Sequence, residues 1–499
     1  YLDELWGSIF SFHGGRFFWK RPQRWPYPIS IFFGHPVANP MDVHPVRQAV
    51  QELGAMAVEQ RANRASGLAR SFVRTCKKRK RGSKIADSLG NELSGGGLLT
   101  RSLILRRLLA RHVLDDGEQF VGLLLPPSVA GVVANAACSL ARRVPVNLNY
   151  TVTSEVINEC LRQASIRHVI TSRQFMEKVK LEVDAELVYL EDFRSKAGFW
   201  DKLACAIAAY GVPAALLERS LDLHRVTGDD LATIIFTSGS TGVPKGVMLT
   251  QTNVGSNVDA IEQIIHLHRS DVLVGILPFF HSFGYTVCLW AAMSIDVKGV
   301  YHFNPLEAKQ VGKLVKKHRG TVLLATPTFL RSYLRRCDTD ELATLDAIVT
   351  GAERLPKDLC DAFEAKFGVR PVEGYGTTEL SPLVSANIPP SRSPSKSASD
   401  WKEGTVGRPA PGISAKVTDL DSGAELGVGR PGMLWVKGPN VMKGYLGRDD
   451  LTAEVIREGW YKTGDIAVID EEGFIQITGR QSRFSKIGGE MVPHLKIEE

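Results

Sequence analysis

The sequence predicts an α/β protein in which layered, largely parallel sheets precede a smaller β-rich unit. Between residues 85 and 350, short apolar runs alternate with stretches of helical periodicity, which is typical of parallel sheets joined by helices; examples are 231–236, 272–277, 322–325 and 347–349. From residue 404, glycine and proline recur between strands of alternating polarity, namely 413–420, 432–438 and 466–479. The 499 residues exceed what one compact core usually needs, so we expect two or more domains.

The first 65 residues begin with aromatic and basic side chains and continue into a helical stretch over 44–62, in which apolar residues recur at helical spacing (Val46, Val50, Leu53 and Met56). We expect this segment to be the closing strand and helix of one domain. Residues 66–84 combine small, polar and basic residues without a core pattern, which is typical of a linker. A second domain should therefore begin near residue 85.

Residues 120–141 carry no charge and are long enough to span a bilayer, so a transmembrane helix must be considered. Pro126, Pro127 and Asn135 argue against it. A strand over 120–125, a turn and a small-residue helix fit better, and residues 144–147 follow as the next strand. The pattern predicts a βαβ unit.

Residues 389–399 (PPSRSPSKSAS) are rich in proline and serine and lack a core pattern, so we predict a mobile loop before the β-rich unit. We find no internal repeats.

The charge of the chain is concentrated in one place. The 61 Lys and Arg exceed the 54 Asp and Glu by seven, and residues 74–84 (RTCKKRKRGSK) alone carry seven basic residues. This argues against a nucleic-acid-binding surface spread over the fold and confines any anionic partner to this segment. Seven cysteines without paired spacing are expected to be reduced and structural.

The segment with the clearest chemistry is 234–246 (IIFTSGSTGVPKG), in which an apolar strand runs into glycines, hydroxyls and a lysine. We call residues 237–246 the phosphate loop. Glycines let backbone N–H groups approach phosphate oxygens, hydroxyls add donors, and Lys245 adds a cation. The loop residues assigned to phosphate are Thr237, Ser238, Gly239, Ser240, Thr241 and Gly242. The pattern is not the GxxxxGK[ST] of ordinary P-loop NTPases, and a flexible linker rarely follows a buried strand.

With this loop the sequence resembles the adenylate-forming superfamily, which includes acyl-CoA synthetases, luciferases and peptide-synthetase adenylation domains. Four further segments match superfamily motifs in order: 277–284 (LPFFHSFG), 373–379 (EGYGTTE), 461–465 (YKTGD) and Gly479-Arg480. The matches cover residues 90–490. The resemblance implies ATP as substrate, Mg²⁺ as cofactor and the superfamily's layered α/β fold.

The resemblance also implies roles for individual residues. It assigns catalysis to Lys245, Thr378 and Glu379, with Glu379 as the magnesium ligand. Tyr375 offers a face on which adenine can stack, and Asp465 can accept hydrogen bonds from both ribose hydroxyls. The other residues assigned to the nucleotide are Gly351, Ala352, Glu353, Gly376, Thr377 and Arg480.

The substrate pocket implied by the resemblance contains Phe280, His281, Phe283 and Gly284. His281 alone would more often be a packed core histidine, so a gating role and a core role both stay open. The apolar, aromatic lining of the substrate pocket favours a fatty acyl chain. The implied reaction is attack of the fatty-acid carboxylate on the α-phosphate of ATP, and it needs no general base because the carboxylate is already ionised.

A narrower resemblance rests on 479–492 (GRQSRFSKIGGEMV), which is similar to the bifunctional acyl-acyl-carrier-protein synthetase/2-acylglycerophosphoethanolamine acyltransferase family. Residues 1–65 look like the closing part of its glycerophospholipid acyltransferase domain. Such domains catalyse with His-x4-Asp, which is absent from 1–65, so we expect that catalytic half upstream. The predicted divisions are an acyltransferase remnant (1–65), a basic linker (66–84), an adenylation domain (85–478), and a hinge with the start of a truncated C-terminal subdomain (479–499).

Three departures from the superfamily pattern qualify these expectations. Gln251 stands where a histidine usually follows the loop, and Ser482 stands at the hinge position. The family's second catalytic lysine lies beyond Glu499. We therefore expect nucleotide binding with weak adenylation by this chain alone.

The expected partners are a fatty acid and a thiol acceptor, either acyl carrier protein or CoA, with no nucleic acid. Lys77-Lys-Arg-Lys-Arg81, called here the basic run, can be a solvated linker, a contact for an anionic membrane or a nuclear-localisation-like match. The expected location is the cytoplasm or the cytoplasmic membrane face. Two alternatives remain open: a free-standing fatty acyl-CoA ligase and a non-catalytic nucleotide-binding module.

Overall fold

The computed structural model describes residues 1–5, 8–11, 22, 26–37, 43–62, 67–237, 243–393, 400–481, 484–487 and 490–493. Within these ranges, no helix combines the length and the apolar character that crossing a bilayer requires. The transmembrane alternative for 120–141 is therefore rejected, since the segment divides into a strand and a 12-residue helix.

The N-terminal segment contains two short antiparallel strands and one long helix: β1 (Leu2–Asp3), β2 (Ser30–Ile31) and α1 (Val43–Ala62). The predicted helix is confirmed, but its predicted apolar stripe is not the packed face. Val46, Val50 and Met56 are exposed, whereas Ala55 and Val58 are buried. Helix α1 packs against strand β18 of the β-rich unit and against helix α10, both described below.

The predicted linker is wrong, because residues 68–78 form a core helix. The next elements are α2 (Leu68–Lys78), β3 (Ser83–Asp87), β4 (Glu92–Ser94) and α3 (Gly95–His112). In α2, Leu68, Phe72, Val73 and Cys76 are buried in the main hydrophobic core. Two of the basic side chains between them form ion pairs: Arg70 Nε and Arg74 Nε lie 2.9 and 2.7 Å from carboxylate oxygens of Glu218.

The predicted βαβ unit is confirmed and extended into a four-stranded parallel sheet in the order β6-β5-β7-β8. Its elements are β5 (Phe120–Leu123), α4 (Val129–Leu140), β6 (Val144–Asn147), α5 (Ser154–Gln163), β7 (His168–Thr171), α6 (Arg173–Val179) and β8 (Glu186–Tyr189). Strands β6 and β7 are buried along their whole length, as expected for a sheet covered by helices.

Three helices lead into an antiparallel pair of strands that flanks the predicted phosphate loop, and a fourth helix follows the pair. They are α7 (Asp192–Lys196), α8 (Phe199–Tyr210), α9 (Ala214–Ser220), β9 (Leu231–Thr237), β10 (Lys245–Thr250) and α10 (Gln251–Ile265), with a 3₁₀ turn at Leu223–Arg225. Helix α10 begins with a capping box, in which Thr250 and Asn253 satisfy each other's backbone N–H groups.

A nine-stranded sheet forms the centre, in the order β17-β16-β15-β14-β13-β11-β12-β3-β4, and its middle strands are parallel. Its remaining elements are β11 (Val272–Gly275), a π-helix (Gly284–Ala291), α11 (Ala292–Ser294), β12 (Lys298–Tyr301), α12 (Ala308–His318), β13 (Val322–Ala325), α13 (Pro327–Arg336), α14 (Thr339–Leu342), β14 (Ala347–Thr350), α15 (Lys357–Phe367), β15 (Val372–Gly376), β16 (Leu383–Ala386) and β17 (Arg408–Pro409). The largely parallel layers predicted from the apolar runs are confirmed.

The predicted mobile loop is wrong for its first part. Residues Pro390–Arg392 form a 3₁₀ turn, and Arg392 is buried between two carboxylates. Its guanidinium lies 2.8 Å from Asp271 and 2.6 Å from Asp346. Residues 394–399 lie outside the described residues.

The β-rich unit is confirmed as an antiparallel sheet in the order β18-β19-β22-β21, with β23 paired to β22. Its elements are β18 (Ser414–Thr418), β19 (Gly432–Lys437), β20 (Gly444–Tyr445), α16 (Asp449–Val455), β21 (Ile456–Arg457), β22 (Trp460–Ile469) and β23 (Ile475–Arg480), followed by a hairpin of β24 (Phe484–Ile487) and β25 (Glu490–Pro493). Strand β20 leaves this unit and pairs with β10.

Candidate active site

The two ends of the phosphate loop are held together by strand pairing. Thr237 ends β9, Lys245 begins β10, and the two residues lie opposite each other in the antiparallel ladder. Both are half-buried. Ser238, Gly239, Ser240, Thr241 and Gly242 lie outside the described residues, so their contact with phosphate stays a prediction.

Tyr445 connects the two principal catalytic candidates. It lies on β20, opposite Val247 of β10, so it stands beside Lys245. The Lys245 ammonium is 5.4 Å from the centroid of the Tyr445 ring, and the Tyr445 hydroxyl donates a hydrogen bond to Glu379 Oε1 at 2.9 Å. Burial and the nearby Glu379 carboxylate raise the pKa of Tyr445, so it remains a donor. One aromatic side chain thus fixes a cation and a carboxylate on one side of the site.

Tyr375 and Asp465 meet although they are 90 residues apart in the sequence. The Tyr375 hydroxyl donates to Asp465 Oδ2 at 2.5 Å, and Arg480 Nε lies 3.3 Å from Asp465 Oδ1. Strands β22 and β23 place Arg480 directly across from Asp465. Burial raises the pKa of Asp465. The structure therefore brings together the residues predicted for adenine and ribose, and Asp465 is more than a plain turn residue.

Residues 376–378 connect Tyr375 to Glu379 in the chain. A β-carbon at Gly376 would lie 1.9 Å from the Pro382 carbonyl oxygen, so no side chain fits there. The buried Thr377 hydroxyl has no hydrogen-bond partner among the described residues. Ser282 Oγ lies 3.5 Å from Thr378 Oγ1, which links the predicted substrate motif to the predicted nucleotide motif.

The donors present fit a magnesium nucleotide. A lysine and a carboxylate, Lys245 and Glu379, both contact Tyr445, and within the described ranges no group of three or more His, Cys, Asp or Glu side chains could hold a metal alone. Mg²⁺ is usually held by one or two carboxylates together with substrate phosphates. Glu379 matches that requirement as one protein ligand.

Residues 351–353 follow β14 at the edge of this region. Gly351 lies beside Phe283, because a β-carbon there would be 3.3 Å from the Phe283 ring. Ala352 adopts a φ of +70°. The Glu353 carboxylate accepts hydrogen bonds from the backbone N–H and the hydroxyl of Thr328, at 3.2 and 2.7 Å, at the start of α13. Glu353 therefore stabilises a helix start, and its predicted role in ATP binding stays a prediction.

The substrate motif forms an aromatic wall. The Phe280 ring is buried, 4.8 Å from the Tyr150 ring and 4.5 Å from the His281 ring. His281 keeps one side open to solvent, and burial of the rest lowers its pKa. Gly284 begins the π-helix, and a β-carbon there would lie 1.9 Å from the Pro278 carbonyl oxygen. Packing alone therefore explains Gly284.

Sequence reasoning missed two residues of this region. Tyr445 gave no signal, because a Gly-Tyr pair is common and its partners are distant in sequence. Tyr150 follows β6, and the carboxyl ends of parallel strands are where ligands usually bind, so its position was a usable signal. Its buried hydroxyl lacks a hydrogen-bond partner within the described part of the chain.

Two of the three departures from the superfamily pattern concern residues within the chain, Gln251 and Ser482. Gln251 follows the end of β10 that lies opposite Leu231, whereas the flanks of the loop, Thr237 and Lys245, are paired at the other end of the ladder. Its Oε1 accepts the Leu68 N–H at 3.0 Å and its Nε2 donates to the Leu231 carbonyl at 3.4 Å. Gln251 therefore caps α2. It also lines a cavity of about 710 Å³ between α10 and the N-terminal segment, whose lining includes none of the predicted site residues. Ser482 lies outside the described residues.

Comparison with known proteins gives the following similarities. Residues 72–446 match the family model described as AMP-binding enzyme, and the match begins inside α2. The chain is 33% identical over 421 residues to a long-chain-fatty-acid–CoA ligase of Yersinia pestis, covering 77% of this chain and 72% of that protein. It is 26% identical over 437 residues to the long-chain-fatty-acid–CoA ligase of Bacillus subtilis, covering 82% and 76%.

Solved structures agree with this similarity. The ATP-bound crystal structure of MatB from Rhodopseudomonas palustris aligns with a TM-score of 0.68 at 28% identity, covering 86% of this chain and 82% of that chain. The anthranilate CoA ligase AuaEII with anthranoyl-AMP aligns with a TM-score of 0.72 at 18% identity, covering 86% and 79%, and this likeness concerns the fold alone.

Proposed function

The chain belongs to the AMP-binding enzyme family, whose acyl-CoA ligases use ATP with Mg²⁺, and from that premise we propose that it activates a fatty acid as an acyl adenylate. The observation that carries the proposal is the arrangement of Lys245, Tyr445 and Glu379 around the predicted phosphate position. The Tyr375–Asp465 pair lies on the side assigned to adenine and ribose.

The reaction needs alignment and charge neutralisation. The fatty-acid carboxylate is ionised at neutral pH, attacks the α-phosphorus of ATP and expels pyrophosphate. The Lys245 ammonium would neutralise charge that develops on the phosphate oxygens, and Thr378 would donate a hydrogen bond to the same group. Glu379 would hold Mg²⁺, which supplies further neutralisation of phosphate charge when bound.

The acyl pocket is proposed to be apolar. Phe280 and Tyr150 pack edge to face, and Phe175 contacts the other side of Tyr150 with ring centroids 5.1 Å apart. An aromatic wall of this kind suits a hydrocarbon chain better than a polar acid. The two bacterial relatives named above as fatty-acid ligases support a fatty acid as the substrate class.

The thiol acceptor is proposed to be acyl carrier protein, with CoA as the alternative. The carrier-protein proposal rests on the resemblance over 479–492, whereas the long-chain-fatty-acid–CoA ligase relatives support CoA equally. With either acceptor, the enzyme would act in the cytoplasm or at the cytoplasmic face of a membrane. Residues 1–65 are proposed to be the closing part of an acyltransferase domain that uses the activated acyl group, and the gene sequence upstream of Tyr1 would test this.

One argument for the alternative of a non-catalytic nucleotide-binding module rested on Gln251. Gln251 suggested a weakened phosphate contact, but its side chain caps α2 and bonds the Leu231 carbonyl. The proposed activity therefore assigns no phosphate contact to residue 251.

The decisive experiment measures fatty-acid-dependent exchange between ATP and pyrophosphate by the full-length gene product. We expect exchange that requires both fatty acid and Mg²⁺. AMP release that depends on holo acyl carrier protein would support the first acceptor, and release that depends on CoA would support the second. ATP binding without exchange would contradict the proposed activity.

A further inference from the structure

Helix α8 presents an apolar face to solvent. Phe199, Trp200 and Ile207 are 70%, 75% and 56% exposed, and Leu203 and Tyr210 continue the same face. We call these five residues the α8 patch. Proteins in water rarely leave contiguous apolar surface of this kind uncovered, and such surface usually marks an interaction site.

The outward orientation of the α8 patch is fixed by polar contacts on the opposite face. Asp201 is buried and bonds two arginines of α3, at 3.0 Å to Arg107 and 3.2 Å to Arg111. Cys205 and Ala209 are also buried on this side. The helix therefore places its one acidic side chain inward and its largest apolar side chains outward, the reverse of an ordinary surface helix.

The basic run lies against the C-terminal end of the same helix. Lys77 Nζ donates to the carbonyl oxygens of Ala208 and Ala209 at 2.8 and 3.0 Å, and Lys80 Nζ donates to that of Tyr210 at 2.9 Å. The interpretation of this run as a solvated linker is therefore wrong. The run caps a helix.

Cations adjoin the α8 patch, and we call them its cationic rim. Arg107 and Arg111 of α3 are partly exposed and contact Asp201, and Lys202 is exposed on the helix itself. The basic run, whose Lys78 and Arg81 are exposed, contacts the C-terminal end of the helix through Lys77 and Lys80. Asp201, the acidic residue of α8, offsets one of the two arginine charges, so these three side chains together carry one net positive charge. The patch and its rim together form an apolar surface edged by positive charge.

We propose that α8 is an interfacial helix that lies on the surface of an anionic lipid bilayer. Phenylalanine and tryptophan favour the level of the lipid headgroups, and lysine and arginine around them attract lipid phosphates. A bilayer fits better than a protein partner, because the apolar side chains project from a single helix and the rim is complementary to a negatively charged plane. The surface would hold the protein where long-chain substrates dissolve.

The test is co-sedimentation of the full chain with vesicles of phosphatidylcholine and phosphatidylglycerol, compared with phosphatidylcholine alone. We expect binding that needs the anionic lipid and falls as salt rises. Replacing both aromatics (Phe199→Glu with Trp200→Glu) should weaken binding about 100-fold, since two buried aromatic anchors are lost and two repelled charges are gained.

Matched variants separate the α8 patch from other surfaces. Leu306→Glu changes a leucine that is 58% exposed on a different loop, and should leave binding unchanged. Lys78→Ser with Arg81→Ser should weaken binding to anionic vesicles without unfolding α8, because Lys77 and Lys80, which hold the helix end, are kept. Phe33→Glu tests the N-terminal aromatic segment, whose Phe33 is 89% exposed.

The inference fails if the α8 double variant binds vesicles as the parent does, or if Phe33→Glu abolishes binding while the double variant does not. Loss of self-association in the double variant without a change in vesicle binding would assign the α8 patch to a protein interface instead, and would also overturn it. ATP/pyrophosphate exchange with a short, water-soluble acid should be equal in all variants. Failure of the lipid inference and failure of the proposed activity are thus measured separately.

Discussion

The hydroxyl of Tyr445 donates to Glu379 Oε1 at 2.9 Å while its ring lies under the ammonium of Lys245. Tyr445 comes from a short strand that leaves the β-rich unit to pair with β10. The position of the two catalytic candidates therefore depends on a residue that has no chemistry of its own in the reaction, and we regard Tyr445 as a positioning residue.

Tyr445→Phe should lower the exchange rate about 10-fold and raise the Mg²⁺ concentration needed for half-maximal activity. The lost hydrogen bond to a charged group leaves Glu379 free to rotate. The measurement is a magnesium titration of fatty-acid-dependent exchange. Tyr333→Phe is the matched control, because it removes another buried hydroxyl, bonded to the Pro305 carbonyl at 2.7 Å. An unchanged magnesium dependence in Tyr445→Phe would remove its positioning role.

Lys245→Ala should leave the fold intact and reduce exchange roughly 10²–10³-fold, as expected when one preorganised charge that faces the transition state is lost. Lys416→Ala serves as its control, since Lys416 also lies over an aromatic ring, that of Trp460, at 4.3 Å. Equal rates for the parent and Lys245→Ala would mean that the phosphate loop has been wrongly assigned.

Asp465→Ala should weaken ATP binding about 10- to 100-fold and leave fatty-acid binding unchanged, because the carboxylate proposed to accept the ribose hydroxyls is lost while the acyl wall is untouched. Calorimetry with each ligand measures the two effects. Asp470→Ala is the control: this carboxylate lies on the same unit and pairs with Lys402 at 2.7 Å. Equal loss for both ligands would indicate misfolding and not a nucleotide contact.

Arg392→Met should destabilise the fold by about 3–5 kcal/mol, since it leaves buried Asp271 as an uncompensated charge. Urea denaturation measures the loss. The double variant Arg392→Met with Asp271→Leu should recover part of it, because the orphaned carboxylate is gone as well. If Arg392→Met left the free energy of unfolding unchanged, the first part of the 389–399 segment would not contribute to the stability of the core.

The most accurate sequence-based predictions concern features that depend on residues adjacent in the chain. Strands such as Val322–Ala325 are buried along their whole length, so their apolar runs stand out. The phosphate loop was recognisable because its glycines, hydroxyls and lysine are contiguous. Its flanking residues, Thr237 and Lys245, are paired in the β9–β10 ladder, and the contact of the loop with phosphate stays a prediction.

The errors arose where a charge finds its partner far away in the chain. Helix α2 resembled a linker because its arginines and lysines interrupt the apolar pattern, yet Glu218 pairs with two of them across more than 140 residues. Arg392 likewise finds Asp271 at a separation of 121 residues. The sequence pattern alone cannot distinguish a solvent-exposed cation from one that forms a buried ion pair with a carboxylate distant in the chain.

Gly284 and Gly376 have a consequence for how the family's divergence is interpreted. Each lacks a side chain because a carbonyl oxygen occupies the place where a β-carbon would be, at 1.9 Å in both cases. Among relatives that share only 26% to 33% of their residues with this chain, a glycine at either position would be retained by volume exclusion alone. Its conservation would then reflect the close approach of a neighbouring backbone carbonyl and would carry no information about which acid the enzyme selects.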